Sequence, residues 1–209
     1  MVSMAWALGS WYINFGQQPF AYPIPPGYKT ICSANLANTP IYKGKKYFDV
    51  VTRLGTGTGL LVGGLTFQPG LVWSKVRNAS GNHILVDSVR GANKVLSSNT
   101  GNPETTGGTI TAFTKDGYGI DASQNIQNQT YVEWLWAAGN TTTTNNAGSN
   151  GATVPSTYSV NKLSKFSIVT YSGNNIAGTK VAHGLGQKPR FIIVKNRTTG
   201  STAWPVYHA

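Results

Sequence analysis

The chain has 209 residues, and only 11 % of them are charged, while aromatics also reach 11 %. A helical bundle needs more Glu, Lys, Ala and Leu than this, and a disordered chain would lack the Trp and Tyr, so short strands joined by tight turns are expected. The net charge of +11 brings a nucleic-acid partner into view, but the basic residues are scattered. The densest run is Lys43–Lys46, without the clustered stripe of a nucleic-acid reader, which argues against one.

The start, MVSMAWALGSW, lacks a basic n-region, and its apolar stretch is too short to cross a membrane. Residues 11–15, WYINF, are aromatic and β-branched. FAYPIPPGY then prohibits helix through its Pro and Gly, and TICSANL returns as a strand. Cys32, alone in the chain, excludes an internal disulfide framework and reads as a small buried side chain.

KKYFDVVTRL alternates as a half-buried strand, and GTGTG is a turn. GLVWSKVRN and HILVDSVRG follow as strands, and TITAFTKDGYGI carries the hairpin signal KDG. In QTYVEWLWAAG, Tyr131, Glu133 and Leu135 oppose Val132, Trp134 and Trp136. Large aromatics dominate small cores, so Trp73, Trp134 and Trp136 are expected inside. Residues 140–158 are polar and nearly uncharged, and read as a linker or exposed loop.

Beyond them the chain repeats itself. FDVVT (48–52) returns as FSIVT (166–170), 118 residues on, and PGLVWSKVR (69–77) returns as PRFIIVKNR (189–197), 120 residues on. Identities at a nearly fixed offset mark an internal repeat. The two runs should be equivalent strands, with Lys75 matching Lys195 and Arg77 matching Arg197. The second copy lacks counterparts to HILVDSVRG, DGYGI and TYVEWLWAAG, about half of a module. Residues 11–40 and 160–209 are therefore expected to be covered by partner surface, from adjacent subunits or from further chain.

INFGQQPFAYPIPPGYKTICSANL, within residues 11–36, resembles the closing strands of a SPRY-type domain. The remainder, from YFDVVTRLGTGTG through TYVEWLWAAG to HGLGQKPRFIIVKNR and WPVYH, is similar to a repeated module of phage and prophage tail-fibre-like proteins. These resemblances imply a concanavalin A-like sandwich and a place in the virion. The expected fold is an all-β antiparallel sandwich with one full module flanked by partial ones: residues 1–45 as SPRY-like strands, 46–139 as the first module, 140–158 as the linker, and 159–209 as a partial second copy.

The acids are Asp49, Asp87, Glu104, Asp116, Asp121 and Glu133. None shows the closely spaced pair that a sandwich glycosidase presents across a groove. Asp87 precedes Arg90 by three residues and reads as an ion pair, Asp116 reads as a turn residue, and Glu133 is the acid whose aromatic neighbours would raise its pKa. His83, His183 and His208 give no metal spacing, and His183 in HGLG reads as a turn residue. No catalytic, cofactor or metal residue is assigned. Trp204, Tyr207 and Trp11 are the candidate glycan contacts. The expected function is a non-enzymatic virion component (tail fibre, spike or decoration protein), made in the host cytoplasm, oligomeric or bound to other virion proteins, with host-surface glycan as its ligand. A monomeric carbohydrate-binding module is the alternative, and a glycan hydrolase stands behind both.

Overall fold

The computed structural model describes Asn14, residues 18–29, Ile41 and residues 43–209. The chain divides into two compact units, residues 1–42 and 43–209. In the first, PPGY closes a turn: the Tyr28 amide donates to Pro25 O at 3.1 Å, and Gly27 takes a φ of 85° that other residues avoid. Trp11, Cys32, the expected strand TICSANL and all of the expected strand WYINF except Asn14 lie outside the described residues.

The second unit is all-β. Its strands are β1 (Phe48–Leu54), β2 (Leu60–Val62), β3 (Leu71–Val76), β4 (Ile84–Asp87), β5 (Lys94–Ser97), β6 (Thr105–Thr106), β7 (Ile110–Thr114), β8 (Gly117–Ile120), β9 (Thr130–Trp136), β10 (Thr143–Asn145), β11 (Ser156–Asn161), β12 (Phe166–Tyr171), β13 (Phe191–Ile193) and β14 (Val206–His208). The helical pieces among the described residues are short 3-10 turns, and no helix there is long and apolar enough to cross a membrane.

Every paired strand is antiparallel. A six-stranded sheet runs β1-β9-β3-β4-β5-β6, and a three-stranded sheet runs β2-β8-β7. One core joins them: Val72, Val86 and Leu135 from the larger sheet pack with Ile110, Tyr118 and Ile120 from the smaller, and Leu65 and Phe67 close over the same cluster. This is a sandwich, the fold that the alternation predicts. Lys115 and Asp116 form the two-residue turn of the β7–β8 hairpin that KDG announced. Gly117 follows because a Cβ there would lie 2.0 Å from Val62 O on neighbouring β2.

Which face of β9 turns inward differs from expectation. Tyr131, Glu133 and Leu135 are buried, whereas Trp134 and Trp136 stay half-buried on the outer face. Trp73 on β3 shares that outer face, its ring centroid 6.1 Å from that of Trp134. Alternation separates the two sets but does not say which is inside; here the charged partner of Glu133 decides.

Residues 140–158 are not a bare linker. They contain β10, a 3-10 turn and the start of β11, with Asn145, Ala152, Val154 and Ser156 buried. A second three-stranded sheet runs β10-β11-β12, and β13 pairs with β14. The two repeated runs thus fall in different sheets: β3 lies inside the six-stranded sheet, and β13 lies in a two-stranded one. Each run pairs antiparallel with the strand that follows it, but the expected equivalence of position in one kind of sheet is not met.

The burial pattern orders the cost of truncation. Leu135→Ala should lower the unfolding free energy by about 2–5 kcal/mol in a urea titration, and Trp134→Ala by less. The reverse order would mean that the inner face has been assigned to the wrong residues.

Candidate functional site

Three features carry the chemistry of this chain. The first is enclosed in the sandwich. Arg53 of β1 points inward and donates from Nε and Nη2 to Glu133 Oε1 at 3.0 and 2.8 Å. Its Nη1 donates to Asn125 Oδ1 at 2.7 Å, and Nη2 also donates to Gln124 O at 2.6 Å. The guanidinium lies 4.2 Å from the Tyr131 ring centroid, and Ser74 Oγ donates to Glu133 Oε1 at 3.2 Å. Asn125, itself fully buried, donates onward to Thr56 Oγ1 and Thr58 O.

Burial raises the Glu133 pKa, and the charge and hydrogen bonds of Arg53, with Ser74 and Tyr118, offset this only in part. Burial, followed by the negative charge of Glu133, pushes the Tyr118 phenol well above its usual range, although the two groups make no well-aligned hydrogen bond. The raised pKa expected for Glu133 is therefore found. Its carboxylate is 0 % exposed, so it can tie strands together but cannot reach an external substrate.

The second feature joins the two copies of the repeat. Arg90 pairs with Asp87 as its spacing foretold, and also donates to Lys94 O, Leu85 O and Glu104 Oε2, each at 3.0 Å. Arg197, from the second copy, donates to both Glu104 oxygens at 3.0 and 2.9 Å. Beside it, Lys195 Nζ donates to Gly101 O at 2.9 Å and Thr202 O at 2.8 Å, and Trp204 Nε1 donates to Thr100 O at 3.0 Å. The indole of Trp204 is thus held against the segment between β5 and β6. Tyr207, on β14 opposite Ile192, is 45 % exposed. His183, as expected, serves its turn: its Nδ1 accepts from the Leu185 amide at 3.2 Å.

The third feature was hidden in the presumed linker. A groove of about 560 Å³ is lined by Gln68, Ser88, Phe113, Asn140, Thr141 and Ser159, among others. Ser159 Oγ donates to Ala138 O at 2.7 Å and approaches Thr141 O at 3.0 Å, which shapes the rim. Gly139 permits the turn: its φ is 89°, and a Cβ there would meet Val160 O at 2.6 Å. Uncharged hydroxyls and amides around one aromatic ring suit a neutral polyhydroxyl ligand, which needs hydrogen bonds from both donors and acceptors. The Thr- and Asn-rich composition was the available signal, but nothing in it placed Phe113 or Ser88 alongside.

Residues 43–209 match the family described as Domain of unknown function (DUF7483). The chain belongs to that family. No curated protein and no solved structure matches it. The DUF7483 match begins where the second compact unit begins, at residue 43, and spans both copies of the repeat.

The Glu104 bridge predicts a pH response. Burial opposes its ionisation, but the hydrogen bonds and charges of Arg197 and Arg90 prevail and hold its pKa below the ordinary 4.5. A depressed folded pKa gives stability that is present above the ordinary carboxylate range and lost as pH falls through the lowered value. Amide protection in β13 and β14 should therefore fall in acid below about pH 4.5. In E104Q that acid step should be absent; if it persists unchanged, another group governs the docking.

Proposed function

We propose that this chain is a non-enzymatic structural module of a virion assembly, of the tail-fibre, spike or decoration type, which packs against further copies or other virion proteins. The observation that carries this reading is the C-terminal hairpin. Phe191, Ile192 and Ile193 of β13 and Val206 and Tyr207 of β14 are all exposed, on strands whose residues alternate between two faces, as is Val194 just beyond β13. Apolar strands bare on both faces are a surface that soluble monomers seldom keep, and burial against a partner removes it from water. Tail-fibre-like resemblance in sequence, together with stability derived from β packing, supports the same reading. Sedimentation of the purified chain should show a defined multimer at micromolar concentration, and antibodies against it should decorate particles in electron micrographs. A stable monomer that is absent from particles contradicts the proposal.

The groove favours a second activity alongside the first, attachment to a host-surface glycan. Its rim is neutral, and Phe113 offers a ring for stacking on a sugar face. A glycan array should return neutral oligosaccharides. Phe113→Ala and Thr141→Val should each weaken such binding by about tenfold, or about 1.4 kcal/mol. If instead the array signal falls on replacing Trp204 and Tyr207, the ligand sits at the C-terminal hairpin. Glycan binding by a chain that stays monomeric selects the lectin-like alternative.

A further inference from the structure

Charge is unevenly distributed along this chain. All the acids lie between Asp49 and Glu133, so residues 1–48 and 134–209 carry none. Asp87, Glu104 and Glu133 are consumed in bridges to Arg90, Arg197 and Arg53. Two lysine pairs from the acid-free segments, Lys45 with Lys46 and Lys162 with Lys165, are far apart in sequence, and the fold brings them to one place. The first pair lies in the 3-10 turn Gly44–Lys46 that leads into β1, the second in the turn between β11 and β12. Trp136, at the end of β9, joins the two turns. Its ring centroid is 5.0 Å from that of Phe48, which opens β1, and 6.0 Å from that of Phe166, which opens β12. The Ala137 amide next to it donates to Tyr47 O at 2.8 Å.

All four lysines are exposed. Lys45 meets Asp49 at 3.6 Å, but its side chain is 81 % exposed, so water screens that pair and it holds the cation weakly. Among the described residues no acid pairs with Lys46, Lys162 or Lys165. The second turn is fixed in shape, because Asn161 Oδ1 accepts from the amides of Leu163 and Ser164, each at 3.1 Å. Phe48 and Val50, both exposed on the outer face of β1, give the basic cluster an apolar floor.

We propose that this end of the six-stranded sheet binds an acidic polysaccharide, at a site separate from the neutral groove. Charge complementarity selects a polyanion, and ammonium groups on flexible stems follow anionic groups spaced along a polymer. The exposed Phe48 ring offers the shallow apolar contact that one face of a sugar needs. A single-stranded nucleic acid fits less well. Its bases stack on open ring faces, whereas Trp136 already packs against Phe48 and is stacked with Phe166, their planes 22° apart. Neither turn carries an arginine for a two-point grip on phosphate. A lipid surface fits less well again, because entry into a bilayer needs several protruding apolar side chains and Leu163 is the one such residue on these turns.

The test uses the full chain and polygalacturonate as probe, with dextran as the uncharged control, in about 0.15 M salt. Polygalacturonate should bind and dextran should not. K45Q/K46Q and K162Q/K165Q should each weaken binding at least about tenfold, since both turns face the same polymer. K94Q/K180Q removes the same charge elsewhere, from β5 and from the far end of the β11–β12 pair, and should change binding by less than about twofold. Circular dichroism of each variant should match the parent. Equal losses from all three double variants overturn the proposal, because net charge alone then attracts the polymer. Absence of binding overturns it too. So does tighter binding of oligo-dT, or of vesicles of phosphatidylglycerol and phosphatidylcholine, when it is lost in the same two variants, since the occupant is then nucleic acid or lipid. The groove is tested apart: Phe113→Ala should leave polygalacturonate binding unchanged, and its loss there would move the polymer into the groove and overturn the site.

Discussion

The structure turns on an ion pair between the largely buried Arg53 and the fully buried Glu133. A carboxylate and a guanidinium taken out of water lose several kcal/mol of hydration each, and only close, multiply bonded geometry offsets that. Here the two are bonded twice within 3.0 Å. Arg53 spends its remaining donors on Asn125 and Gln124, and Ser74 adds a hydrogen bond to the acid. Because Glu133 must meet Arg53, the Tyr131–Glu133–Leu135 face of β9 goes inward. The Trp134–Trp136 face is left outside. That one choice sets the register of β1, β9 and β3 and anchors the loop that carries Asn125.

The same pair explains how one sequence motif gives two outcomes. In the first copy β1 and β3 clasp a central strand matched to them in charge. In the second, Tyr171 and Val194 stand at the positions of Arg53 and Ser74, so no such pair can form. The second copy is instead fastened by its edges: Arg197 to Glu104, Lys195 to Gly101, and Trp204 to Thr100. These contacts hold the C-terminal hairpin on the first module while leaving its strand faces exposed.

Much of the fold was legible in the sequence. The β1 alternation, the KDG hairpin, the Asp87–Arg90 pair and the turn at His183 rest on interactions within a few residues, which a local pattern can show. The inner face of β9 was not legible, because it depends on Arg53, eighty residues away. The groove at Asn140–Thr141 was read as a linker for a related reason. Its polar residues look solvated one by one, and only the close approach of Gly139 to Val160 brings them against Phe113 and Ser159. The repeat was visible as identity, but its consequence depended on which strand pairs had formed.

The account stands most directly on whether Arg53 and Glu133 act as a unit. A double-mutant cycle in urea, with Arg53→Met, Glu133→Leu and both together, measures this. Each single change should cost about 3–5 kcal/mol, since it strands a buried charge, while the double variant should lose far less than the sum because no charge remains. Additive losses would contradict the account, showing that the two side chains stabilise the sandwich independently and that the pair does not choose the inner face.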